Sequence, residues 1–208
     1  MRYLSVFLAA AFLLIAGKIA AQQPTMDEML DDGHAGYDKF VLKTNPFTML
    51  NGDFPVYAEV KLLPRISLEA GAGIQMGYFL KEWLYYISGG APVQWESDEQ
   101  PVLTGGYSMR VLPRFYLSGR HLEGLYIGPF WRKRQYGVKD YDAKVNLTDW
   151  CLMLGQQHNL YKNLYFDYYL GLGYRSVEIR NAASLPTLTD KPHMNIVMPW
   201  GIKVGYGF

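Results

Sequence analysis

The chain has 208 residues, with 20 Lys+Arg against 19 Asp+Glu, 21 Gly, 17 Tyr and a single cysteine. That near-neutral balance lacks the basic excess a nucleic-acid binder needs, and Cys151 alone cannot form an intrachain disulfide. One domain is the expectation for a chain this long.

In chain order, the first expected element is a signal peptide over 1–21. Arg2 supplies the charge, 4–15 the apolar stretch, and Ala20-Ala21 before Gln22 the cleavage site. The apolar run is short for a spanning helix, which needs roughly 20 residues, so an uncleaved anchor is the weaker alternative. No Cys near the cleavage site offers an acylation point. Cleavage would remove Arg2 and Lys18, leaving 18 bases against 19 acids and a net charge of about −1. Residues 22–37, with Asp27, Glu28, Asp31 and Asp32, read as a loose periplasmic arm.

From residue 39 onward, apolar and small-or-polar residues alternate in eight segments: 39–44, 55–62, 65–78, 104–117, 124–137, 145–158, 164–180 and 194–208. Alternate side chains of a strand point to opposite faces. In the third segment Ile66, Leu68, Ala70, Ala72, Ile74 and Met76 share one face, and Ser67, Glu69, Gly71, Gly73 and Gln75 the other. The sixth segment is the least regular. The last is the clearest: Met194, Ile196, Met198, Trp200, Ile202, Val204, Tyr206 and Phe208 occupy every second position. Connections alternate between longer or more polar ones (45–54, 79–103, 138–144, 181–194) and short ones, the rhythm of hairpins in an up-and-down barrel.

The fold class that follows is all-β, an eight-stranded antiparallel transmembrane barrel over 38–208. Its apolar face would meet lipid, and its Gly-rich, charged face would fill the interior. Strands of roughly 9–11 tilted residues suffice to cross. A soluble lipocalin-like barrel is the competing reading. It would put the apolar face inward and leave a surface of glycines and charges outward.

Lys43-Thr44-Asn45, Gly171-Leu172-Gly173-Tyr174-Arg175 and the terminal 201–208 carry a resemblance. The chain resembles the small eight-stranded outer-membrane barrels of the OmpA/OmpX type, and among them a domain-of-unknown-function barrel family. The resemblance implies a bacterial outer-membrane location with both termini periplasmic. It also implies insertion by the barrel-assembly machinery, which in that class reads the last strand, here Trp200, Ile202, Val204, Tyr206 and Phe208. It brings no catalytic residues.

Inward parity gathers Glu59, Glu69 and Asp167 with Lys43, Lys61, Arg110, Arg114, Arg132, Arg134, Arg175 and Lys203. Confined charges should pair, since an unpaired buried charge costs several kcal/mol. A salt-bridged plug is therefore the expectation, and the excess of bases suggests an anion path or anion site as an alternative. A lipid-modifying enzyme is the third reading. It needs a nucleophile beside an oriented base, and His34, His121, His158 and His193 are scattered, with neither a serine partner nor metal-ligand spacing. No catalytic residue, cofactor or metal is expected. Trp83, Tyr85, Tyr86 and Trp95 in the connection 79–103 are candidate contacts for a surface or periplasmic protein partner. Trp131, Trp150 and Trp200 read as lipid-interface aromatics.

Overall fold

The computed structural model describes residues 39–50, 52–76, 103–118, 122–161, 163–181 and 194–208. The expected signal peptide and arm lie outside the described residues, as do His34, His121, His193, Trp83, Tyr85, Tyr86 and Trp95.

Apart from one short helix the described fold is all-β. Its strands are β1 (Phe40–Thr44), β2 (Asp53–Leu63), β3 (Ile66–Gln75), β4 (Leu103–Tyr116), β5 (Gly124–Val138), β6 (Tyr141–Tyr161), β7 (Leu164–Arg180), β8 (Met194–Val197) and β9 (Trp200–Gly207). All pairings are antiparallel, and β6 also pairs with β7, so the sheet closes on itself. β8 and β9 pair with β7 in one register, Gly173 with Val197 and Leu170 with Trp200. They are two pieces of a single ring member interrupted at Met198-Pro199. Pro199 has no N–H to give the ladder, but its carbonyl still accepts from Gly171 N at 2.7 Å. The ring thus has eight members, one of them in two pieces.

The register fixes the stagger. In one direction Lys43 pairs with Gly205 directly. In the other, the pairs run Lys43, Tyr57, Gly71, Arg110, Arg132, Asp149, Arg175 and finally Asn195. Gly205 and Asn195 stand ten positions apart on the same ring member. With ~3.3 Å per residue and ~4.8 Å between strands, that offset tilts the strands by roughly 40° and gives the ring a radius of roughly 8 Å. An interior of that width is filled by side chains.

The two faces separate cleanly. Val56, Ile74, Met109, Leu152, Leu172 and Ile196 point outward and are exposed, Ile196 at 82%. Lys43, Glu59, Glu69, Arg110, Arg114, Arg132, Arg134, Asp149, Asp167, Arg175 and Lys203 point inward and are buried. The C-terminus completes the ring, with Phe208 N donating to Phe40 O at 2.9 Å and the Phe208 ring 6.1 Å from that of Phe40.

Two connections differ from the sequence expectation. The stretch 45–54 holds a five-residue helix, α1 (Pro46–Leu50). Asn45 caps it, its Oδ1 accepting from Phe47 N at 3.0 Å and Thr48 N at 3.2 Å, and Pro46 occupies the first helical position, where no N–H is required. The stretch 138–144, read as a longer loop, is almost entirely strand. Val138 pairs with Tyr141 across a two-residue turn, Lys139-Asp140. Asp140 takes the left-handed conformation there (φ 65°), which aspartate tolerates better than most residues.

Candidate functional site

The interior divides into two charged and two apolar layers, the outermost apolar one being Tyr136, Val138, Ala143, Val145, Leu147 and Val177 on β5, β6 and β7. Nearest the short turns lies a charge network to which every member of the ring contributes. β1 gives Lys43, β2 Glu59, β3 Glu69, β4 Arg114, β5 Tyr126, β6 Gln157, β7 Asp167 and β9 Lys203. Arg114 donates to Asp167 at 2.7 Å and to Gln157 at 2.8 Å, and also to Glu69. Lys43 bonds Glu59 and Gln157 and lies 3.4 Å from both Glu69 and Asp167. Lys203 reaches Glu69 at 2.5 Å. Tyr116 and Tyr126 donate at 2.8 Å to Glu59 and Asp167, and Ser67 to Glu59. Three carboxylates meet three cations, so the cluster is formally neutral. Its mouth is partly covered by Leu122, which is 3% exposed and left-handed (φ 63°), and whose carbonyl accepts from Gln157 Nε2 at 2.5 Å.

The layer between the two charged ones is apolar and aromatic. Leu112, Phe130, Cys151, Met153, Tyr169 and Val197 are buried together on the inner face. The Cys151 thiol is thus a core packing group.

Toward the longer connections lies the second charged layer. Asp149, fully buried, accepts from Arg132 Nε and Nη2 at 2.9 and 2.7 Å, Arg175 Nε at 2.6 Å and Arg134 Nη2 at 3.3 Å. Arg110 stands beside this set, as the direct cross-strand partner of Arg132. Its guanidinium lies over the Tyr57 ring at 3.6 Å. Tyr57 can occupy that place because Gly71 faces it, where a Cβ would fall 2.2 Å from a ring carbon. Asp53 accepts from Ser108 at 3.1 Å at the same end.

Of the residues singled out by inward parity, Lys43, Glu59, Glu69, Arg114, Asp167 and Lys203 come together in the first layer and Arg132, Arg134 and Arg175 in the second. Lys61 stays partly buried at the turn end of β2, next to the register shift between Lys61 and Leu63. The inward residues named from the sequence include Ser67 and Tyr126 but lack Asp149, the acid that organises three arginines, and also Gln157 and Tyr116. A partial signal for Asp149 exists: counting on from the Lys139-Asp140 turn gives it inward parity, although Arg132 becomes its partner only through the register shift between Gly137 and Val138.

The Lys43-Thr44-Asn45 triplet has a contact for each residue. Lys43 enters the network, Thr44 Oγ1 donates to Pro55 O at 2.8 Å, and Asn45 caps α1 while its Nδ2 donates to Tyr169 OH at 3.1 Å. Trp200, Ile202, Val204, Tyr206 and Phe208 all lie on the outer face. Trp131 and Trp150 also face outward, with ring centroids 6.4 Å apart. His158, the one histidine in a described segment, lies 3.5 Å from Tyr168 OH, on the outside.

No family model matches the chain, no curated protein matches its sequence, and no solved structure matches its fold.

Proposed function

We propose that the chain is an eight-stranded β-barrel of the bacterial outer membrane, of the OmpA/OmpX type, with a structural or surface-interaction role and no catalytic one. The observation that carries the reading is the division of faces: a closed ring whose outer side exposes Leu, Ile, Val, Met and aromatic residues and whose inner side buries the charges. In water such a surface would be a large exposed apolar patch, whereas in a bilayer it is the required one. A tilt of roughly 40° also falls in the range of membrane barrels. In this reading the barrel-assembly machinery inserts the chain by its last strand, both termini are periplasmic, and the connection 79–103 supplies the aromatic contacts for a partner.

A heat-modifiability gel tests the barrel. The unboiled protein should migrate apart from the boiled one; a single band under both conditions, with solubility in detergent-free buffer, contradicts it. Planar-bilayer recording tests the role. The buried layer of Leu112, Phe130 and Met153 between the charged layers supports a closed interior, so no conductance steps are expected. Stable anion-selective steps would favour a minor channel instead. Pull-down with a variant lacking 80–102 tests the surface contact: partners held by the full chain and lost by the variant support it, and an unchanged set removes it.

A further inference from the structure

We propose that the arginine layer at the loop end of the ring interior is a binding site for one small oxyanion, of the phosphate or carboxylate class, with Arg110 as its anchoring residue. Arg110 is 4% exposed, and among the described residues it forms no ion pair. Its Nη2 has no hydrogen-bond partner. Asp149 is already saturated: its Oδ2 takes N–H groups from Arg132 (two), Arg134 and Arg175. Asp53, which accepts from Ser108 at 3.1 Å, is the carboxylate that faces Arg110, and Tyr169 supplies that guanidinium a hydrogen-bond partner, while Nη2 is left over.

Two like charges directly opposite on one face of an antiparallel pair repel. Arg110 and Arg132 are such a pair, and four guanidiniums share this layer with only two carboxylates, Asp53 and Asp149, which leaves an excess of buried positive charge. An anion between them removes both penalties. The stacking of Arg110 on Tyr57 helps: it uses the face of the planar group and leaves the Nη2 edge free for an incoming oxygen. The Tyr57 hydroxyl is itself buried without a partner. The Arg132 and Arg134 side chains each keep 8% exposure while Lys43, Glu59, Glu69 and Arg114 keep none, and on the loop side the layer is bordered by the buried cluster of Tyr136, Val145, Leu147 and Val177. The apolar layer beneath makes the site a dead end, so binding does not imply conduction.

The inference rests on the inner face of the ring alone and not on the membrane reading. The test is thermal unfolding of the folded full-length protein titrated with sodium phosphate, against sodium chloride at matched ionic strength. It can be run in detergent or, should the protein prove soluble, without it. The midpoint should rise with phosphate and not with chloride. Arg110→Gln should weaken the apparent phosphate affinity about ten-fold or more, the loss expected for a charged hydrogen bond. Arg110→Lys, which keeps the charge and loses the fork, should weaken it less and serves if the glutamine variant fails to fold. A parallel titration with phosphatidate micelles separates sources. A response to inorganic phosphate identifies a free anion, and a response to phosphatidate alone identifies a lipid headgroup with the same chemistry. Equal wild-type midpoints in chloride and in both phosphate probes overturn the site, as does a phosphate response that Arg110→Gln and Arg110→Lys leave intact.

Discussion

The two charged layers use similar residues and solve different problems. Near the short turns Glu59, Glu69 and Asp167 meet Lys43, Arg114 and Lys203, and tyrosine, serine and glutamine side chains complete the hydrogen bonding. Near the longer connections Asp149 alone gathers three arginines, with Arg110 beside them on Tyr57. A total count of inward charges hides this. Balance at one end and concentration of guanidinium at the other become visible only when the register assigns each residue to a layer. The neutral layer ties all eight ring members together. The arginine layer has a donor to spare, as a binding site requires.

That contrast predicts a graded set of effects, read as urea unfolding of the detergent-folded protein. Asp149→Asn should cost the most, about 3–5 kcal/mol, because it leaves three buried guanidiniums facing one another; retention of wild-type stability would mean the layer is hydrated and not buried. Arg114→Met should cost about 3 kcal/mol, since three carboxylates would then face only two lysines. Gly71→Ala should cost about 1–3 kcal/mol by driving a methyl into the Tyr57 ring. Arg110→Gln is the smallest and sharpens the comparison most. In phosphate-free buffer it should be near neutral, within about 1 kcal/mol, because relief of the repulsion from Arg132 offsets the lost contacts with Tyr57, Tyr169 and Asp53. A large loss at Arg114 beside a near-neutral change at Arg110 supports the division into two layers. Equal losses at both positions would break it.

Much of the fold is legible in the sequence because a half-buried strand records its two faces at every second residue. The β7 boundaries at Leu164 and Arg180 and the parity of β2, β3 and β9 follow from alternation alone. β6 resists for a physical reason. Its inner face carries Val145, Leu147, Cys151 and Met153 around Asp149, and its outer face carries Trp150, Leu152 and Leu154, so both faces are apolar over much of its length. Reading 138–144 as a loop then removes the tight turn that fixes the parity of β6, and the register shift between Gly137 and Val138 leaves no sequence signal for the Arg132–Asp149 pairing. The α1 helix is hidden for another reason: five residues are too few for a periodicity, and only the Asn45-Pro46 start marks it. Layer membership is not legible at all, because the ten-position stagger appears only when all eight members are paired.

The most direct test of the assignment of faces is a spin-label scan along β6, with labels placed singly at positions 150–154 in the lipid-reconstituted protein. Cys151 supplies one inward site and is replaced for the others. Labels at Trp150, Leu152 and Leu154 should be readily relaxed by oxygen dissolved in the lipid, and labels at Cys151 and Met153 should not, in strict alternation. Reversed parity, or equal accessibility to a water-soluble relaxant at all five positions, would contradict the account.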